Sequence, residues 1–169
     1  DHELIFALGS LLGIKTTDEV LQIIEEVELC GLDAISTGVV LAWATEALSK
    51  GLIKREDTLA DLQFGNTMEY VKAIDNIADR VNEFYYTIGN GLKEAVKRYG
   101  GEEFALIYGG NEMAGYHTGY AFSLGQSVGS RHSHLDNAGY SYDQGTKELN
   151  DEQIIDYIIN EEKERDVLT

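Results

Sequence analysis

From Tyr108 to Tyr142 the chain gives up the residues that build helices, and this interruption limits its fold more than any other feature. The stretch carries His117, His132 and His134, three of the four histidines, among closely spaced glycines and tyrosines. Few long side chains remain there to form an amphipathic face. Glycine costs a helix interior roughly 0.5–1 kcal/mol relative to alanine. The sequence on either side is rich in Leu, Ile, Ala, Glu and Lys, which favour helices. Helices flanking a glycine-rich loop are therefore expected. Glycine also lets backbone approach a ligand closely, and imidazole titrates near neutrality, so any chemistry should gather around this loop.

Apolar spacing outlines the helices. Leu4, Ile5, Leu8 and Leu11 predict a helix over His2–Leu12, closed by Gly13. Thr17 reads as the N-cap of the next, with Val20, Ile23, Ile24 and Val27 on one face and Gly31 interrupting after Cys30. Asp33 to Leu48 is apolar throughout and predicts a buried helix ended by Gly51. Thr67 should cap a long helix from Met68 to about Tyr86, and Leu92–Tyr99 another, closed by Gly100 and Gly101. A short helix is expected near Tyr120–Ser127. Asn150 or Asp151 should cap a last one whose face is Ile154, Ile155, Ile158 and Ile159. Only Glu103–Tyr108 looks β-like. There is no proline, where average usage of about 5% would supply roughly eight, and helix interiors exclude it. The fold class is all-α: a multi-helical, irregular bundle of about seven or eight helices with a glycine-rich loop, divided into two small lobes, 1–105 and 106–169.

Thirty acidic residues against 13 basic ones give a net charge of −17. Nucleic acid requires a basic stripe and an anionic membrane surface requires basic clusters, so both partners are excluded. No apolar run reaches membrane-spanning length. Cys30 is the one cysteine, so no internal disulfide can form, and a cytoplasmic setting is expected. One thiol cannot hold an iron–sulfur cluster or a cysteine-rich zinc site. The absence of an initiator Met and the ending at Thr169 suggest a piece excised from a longer chain.

Candidate site residues fall in three places. His132 and His134, at i and i+2, would share a face on a strand and diverge by about 200° on a helix. No Glu-x-x-His or His-x3-His pair is present, so no metal ligands are assigned, and a positioned acid/base, a hydrogen bond to a cofactor and a structural role stay open for this pair. The glycines between Gly109 and Gly129 match neither a dinucleotide fingerprint nor a phosphate loop. Glu28-Leu29-Cys30-Gly31-Leu32-Asp33 breaks one helix and starts the next. Its plain reading is capping, with Gly31 closing and Asp33 opening a helix; the other reading is a turn whose backbone and Asp33 bind a polar ligand. Glu3 alone reads as a first-turn acid.

Three segments in order, Glu3 with ALGSLLGI, GLDAISTG and GYAFSLGQSVGSRHSHLDNAGY, together resemble the tungsten-containing aldehyde ferredoxin oxidoreductase family. Glu3 through ALGSLLGI is similar to the family's segment just after its cluster cysteines, and GLDAISTG (Gly31–Gly38) to its Asp-x-x-Gly-Leu-Asp pterin motif. GYAFSLGQSVGSRHSHLDNAGY resembles its glycine-rich stretch ending in His-Leu, and YTIGNGLKEAVKRYG lies between as in relatives. The resemblance covers nearly all of this chain but only the middle of a family protein. It implies a helical portion closing over a tungsten (or molybdenum) bis-pterin, with a missing N-terminal β-rich domain on the cofactor's other side. Glu3 then matches the active-site glutamate and His134 the active-site histidine. Glu28, Gly31, Leu32 and Asp33 match one pterin-binding motif. The parent would oxidise an aldehyde to an acid and pass electrons through a [4Fe–4S] cluster to ferredoxin, with a homodimer as a further expectation.

The chain departs from that pattern. Glu28 replaces the motif's first Asp, and Asp136 follows His134-Leu135 where relatives carry a basic residue. The family's cluster cysteines would fall before Glu3 and beyond Thr169, and Cys30 aligns with none, so no cofactor and no activity are expected of the isolated piece. The rival reading is an acidic helical interaction module without catalysis; a hydrolase using Glu3 and His134 ranks below it, because no nucleophile is evident.

Overall fold

Every residue from Thr37 to Thr45 in one helix, α3 (Ala34–Ser49), is buried. A helix apolar on every side has no solvent face to offer, so it must become the spine around which others assemble. The computed structural model describes residues 2–115, 119–129, 139–145 and 150–168. The chain folds as two compact units, Asp1–Ala114 and Gly115–Thr169.

In the first unit α1 (His2–Ile5) runs directly into a π-helical segment, Phe6–Ser10, and both lie on α3. Gly38 of α3 makes this approach feasible. A Cβ there would stand 2.3 Å from the Ala7 carbonyl oxygen, a distance no side chain tolerates. Then come α2 (Thr17–Leu29), α4 (Arg55–Thr58), α5 (Thr67–Asp79), α6 (Glu83–Ile88) and α7 (Leu92–Tyr99). A 3-10 turn, Glu102–Phe104, leads into an antiparallel hairpin of β1 (Ile107–Tyr108) and β2 (Asn111–Glu112). Gly109 and Gly110, at φ +58° and +89°, form its two-residue turn, the positive-φ pair that matches the twist of a tight hairpin. Leu8, Leu12, Ile23, Val27, Leu41, Trp43, Tyr70, Ile74 and Tyr85 belong to one continuous core.

Two buried hydroxyl networks tie the helices together. Thr45 donates to the Leu41 carbonyl at 2.8 Å, so its oxygen receives the Tyr70 hydroxyl at 2.9 Å. Tyr85 donates its hydroxyl to the Thr58 carbonyl, while Asn82 reaches the Asp57 carbonyl at 2.7 Å and accepts the Tyr85 N–H at 2.9 Å.

The second unit holds α8 (Tyr120–Val128), α9 (Tyr140–Gly145) and α10 (Asp151–Leu168). Ala121, Ile154 and Ile158 form its core, flanked by Tyr142 and Tyr157. Asp143 of α9 accepts the Ala121 and Phe122 N–H groups at 3.0 and 2.9 Å, satisfying the start of α8 from a neighbouring helix. Gly139 again permits a backbone contact, since its Cβ would meet the Ala121 oxygen at 2.2 Å.

The fold class is the all-α, irregular bundle anticipated from the sequence, with ten α-helices and one small hairpin among the described residues. Local details differ. Thr16, not Thr17, is the N-cap of α2, accepting the Glu19 N–H. The single helix expected from Met68 to Tyr86 is two, because Arg80 takes φ +51° and its N–H and that of Val81 turn back to Ile77 and Asn76. Of the four isoleucines assigned to one face of α10, Ile154 and Ile158 are buried and Ile155 and Ile159 are exposed. Among the described residues, no single helix is long and apolar enough to cross a membrane.

Gly38→Ala is expected to lower stability by at least about 2 kcal/mol, because the clash is with backbone and not with a movable side chain; denaturant unfolding measures it. Burial, opposed by the hydrogen bond to Thr45, pushes the Tyr70 hydroxyl up to about 12. The unfolded chain loses this proton near pH ~10, so stability should fall as pH rises from about 10 to about 12 and be unaffected below that window. Tyr70→Phe should cost about 1 kcal/mol at neutral pH and flatten the alkaline fall, leaving the part contributed by Tyr85, which burial also raises. Urea midpoints of both proteins at about pH 8 and about pH 11 test the sign.

Candidate functional site

The joint between α2 and α3 is built from two caps laid end to end. Cys30 ends α2, Gly31 follows at φ +66°, and the Gly31 and Leu32 N–H groups fold back onto the Glu28 and Val27 carbonyls at 3.1 Å each. This is the Schellman arrangement, and it needs a residue that accepts a left-handed backbone. Asp33 then opens α3 in extended backbone, its carboxylate accepting the Ser36 N–H at 2.8 Å. Both caps predicted from the sequence are present.

The consequence is chemical. With the Gly31 and Leu32 N–H groups consumed inside the turn, a ligand would meet backbone carbonyls and the exposed Asp33 carboxylate, beside the first-turn N–H groups of α3 at Ala34 and Ile35. A Cβ on Gly31 would meet nothing within 4 Å, so open space adjoins the turn. The carboxylate and carbonyl oxygens beside open space suit a ligand edge that carries N–H donors. The Glu28 side chain is exposed.

Glu3 sits half-buried in α1, the helix that rests on α3. Ala7 backs onto Gly38, and one turn on Leu11 shares a cavity wall with Val39, Ala42 and Trp43. Glu3 is thus carried one turn before Ala7, whose backbone meets α3 at Gly38. His117, His132, His134 and Asp136 lie outside the described residues. Of the glycine-rich stretch, α8 and its flanking glycines are described, in the second unit.

Sequence reasoning missed Glu112. Its Oε1 accepts the Leu92 N–H at 2.7 Å, and its Oε2 accepts the Ser36 hydroxyl at 3.2 Å. Gly91, the N-cap of α7, offers no side chain of its own, and a Cβ there would stand 3.1 Å from Oε1. Glu112 thus caps α7 from 20 residues away and touches the first turn of α3. The legible signal was the Gly109-Gly110 pair after a β-like run, which announces a hairpin whose next residues return to the body.

A third cluster joins α2 to α5. Ligand atoms of Glu26, Cys30 and Asp75 lie within 4.8 Å of one another. The hydrogen bond with Asp75 raises the Glu26 carboxyl above its usual range. Burial, then the adjoining Glu26 carboxylate, raises the Cys30 thiol. The sulfur is therefore held protonated at neutral pH and is a poor nucleophile.

Residues 1–168 match the family described as aldehyde ferredoxin oxidoreductase, domains 2 and 3. A tungsten-containing aldehyde ferredoxin oxidoreductase of Pyrococcus furiosus is 32% identical over 170 residues, and one of Thermococcus kodakarensis 29% over 167, each covering 91% of this chain. The WOR-like subunit of an aliphatic sulfonate oxidoreductase from Pyrococcus furiosus is 30% identical over 80 residues, 47% of this chain. The chain spans about a quarter of the length of the two aldehyde enzymes, 27% of each. With the match running the length of the helical body and including the capped turn, this chain belongs to the aldehyde ferredoxin oxidoreductase family and corresponds to its domains 2 and 3.

Proposed function

We propose that this chain forms the helical wall of a tungsten bis-pterin site in a cytoplasmic enzyme that oxidises an aldehyde to a carboxylic acid. The observation that carries this reading is the turn at Gly31–Asp33, where carbonyl oxygens and the exposed Asp33 carboxylate stand beside open space. A pterin presents an amino group and ring N–H donors, and carbonyl and carboxylate oxygens complement them. The relatives' own names supply the metal and the substrate class.

The reaction balances as aldehyde plus water giving carboxylic acid, two electrons and two protons. When bound, the pterin-held tungsten supplies the two-electron redox chemistry and the polypeptide supplies position and proton transfer. Asp33, Gly31 and Leu32 would hold the pterin edge. The Glu3 carboxylate, half-buried on a helix packed against α3, would orient the water or take up a proton released from it. His134 would be the second proton acceptor, a role that rests on its place in the His-Leu motif. Glu28 stands where the motif carries Asp, and its longer side chain would meet the cofactor at a different depth.

A [4Fe–4S] cluster requires four thiolates, and Cys30 is the one cysteine of these 169 residues. The cluster, the opposite pterin-binding domain and the ferredoxin contact are accordingly assigned to polypeptide outside residues 1–169.

Asp33 separates capping from ligand binding. Asp33→Asn keeps an oxygen for the Ser36 N–H and should leave stability within about 0.5 kcal/mol of the original, whereas Asp33→Ala should cost about 1 kcal/mol. Both should lower the tungsten and pterin retained by the intact protein after gel filtration, since a carboxylate facing N–H donors is lost in each. Full retention by Asp33→Asn would sink the proposed seat. Gly31→Ala should cost about 1 kcal/mol from backbone strain alone, because nothing crowds the added carbon.

A further inference from the structure

The Glu112 carboxylate stands at a meeting point that neither capping nor the family resemblance accounts for. One oxygen serves α7 through Leu92, and the other serves α3 through Ser36. Ser36 is itself the residue whose N–H is given to Asp33 at 2.8 Å. The result is a continuous chain of hydrogen bonds: Glu112 accepts from the Ser36 hydroxyl, and the Ser36 amide donates to Asp33.

We infer that Glu112 is a positioning residue for the cofactor-facing turn, acting through Ser36 to fix the first turn of α3 and the direction of the Asp33 carboxylate. This rests on the reading of Gly31–Asp33 as a pterin seat. The geometry favours the role in three ways. The hairpin register pairs Glu112 with Ile107, so the tight Gly109-Gly110 turn determines where the carboxylate lies. The absence of a Cβ at Gly91 lets that carboxylate reach the Leu92 N–H at 2.7 Å. A carboxylate at the start of α7 is favoured by the helix dipole as well as by the N–H, so it forms a firm anchor from which to constrain Ser36.

A purely architectural Glu112 would serve α7 and have no effect at Asp33. The test therefore compares Glu112→Ala, Glu112→Gln, Ser36→Ala and the Glu112→Ala/Ser36→Ala double variant in the intact protein. Amide hydrogen exchange is read at residues 36 and 92, and tungsten and pterin content after gel filtration. Glu112→Ala should speed exchange at both residues, while Ser36→Ala should speed it at residue 36 and leave Leu92 protected. Each single variant should lose about threefold or more of the retained cofactor, and the double variant no more than the worse single one, as for two members of one chain. Glu112→Gln keeps an acceptor oxygen and should restore protection at Leu92 and part of the retention.

Faster exchange confined to Leu92 in Glu112→Ala, or losses that multiply in the double variant, would overturn the inference. Asp33→Asn, run alongside, keeps the two ideas apart. If it retains the cofactor in full, the pterin seat is wrong, and exchange at residue 36 in Glu112→Ala still decides whether Glu112 positions this turn.

Discussion

The packing of the first unit turns on the contact between Gly38 and the Ala7 backbone. Helix α3 has no polar face to leave in water, so its free energy of burial is realised only if neighbours close over every side. The segment from α1 through the π-helical turn covers one side, and it can do so only where the missing side chain lets two backbones meet. That same contact brings the Ala7 backbone onto α3 at Gly38.

The turn between α2 and α3 has a related logic. Ending one helix and starting another within four residues leaves several N–H and C=O groups to satisfy. Gly31 and Asp33 settle the donors of Gly31, Leu32 and Ser36, and carbonyl and carboxylate oxygens stand beside open space with the remaining first-turn N–H groups of α3. In the sequence, capping and ligand binding are alternatives for this turn. In three dimensions the two coincide, because the carboxylate that caps α3 is also the exposed group beside the open turn.

Legibility in the sequence followed the range of the interaction. Gly31, Asp33 and the end of α7 at Tyr99 were readable because each depends on residues a few positions away. The break at Arg80 was hidden: arginine seldom adopts a left-handed backbone, so nothing in its identity signals a helix end, although its stacking over Tyr86 at 5.5 Å helps to hold it there. Asp143 and Glu112 were hidden for another reason. Each caps a helix from 20 or more residues away, and no local pattern encodes that distance. On α10 only half of the expected apolar face is covered, since spacing identifies which residues share a side but not how wide a neighbour packs over it.

The acidity of the chain looks different once these caps are placed. Its four described ion pairs all involve exposed side chains, which contribute little in water. Several carboxylates instead accept backbone N–H groups: Asp33 from Ser36, Glu112 from Leu92, Asp143 from Ala121 and Phe122, Asp57 from Lys54, and Glu69 from Asp61. Anions at helix starts are favoured by the dipole and by the unpaired donors there. Part of the −17 charge is therefore structural, used to close short helices in a chain without proline and with many breaks. What distinguishes Asp33 from the other caps is exposure beside an open turn, and that difference, not the presence of a carboxylate, is what marks it as a binding group.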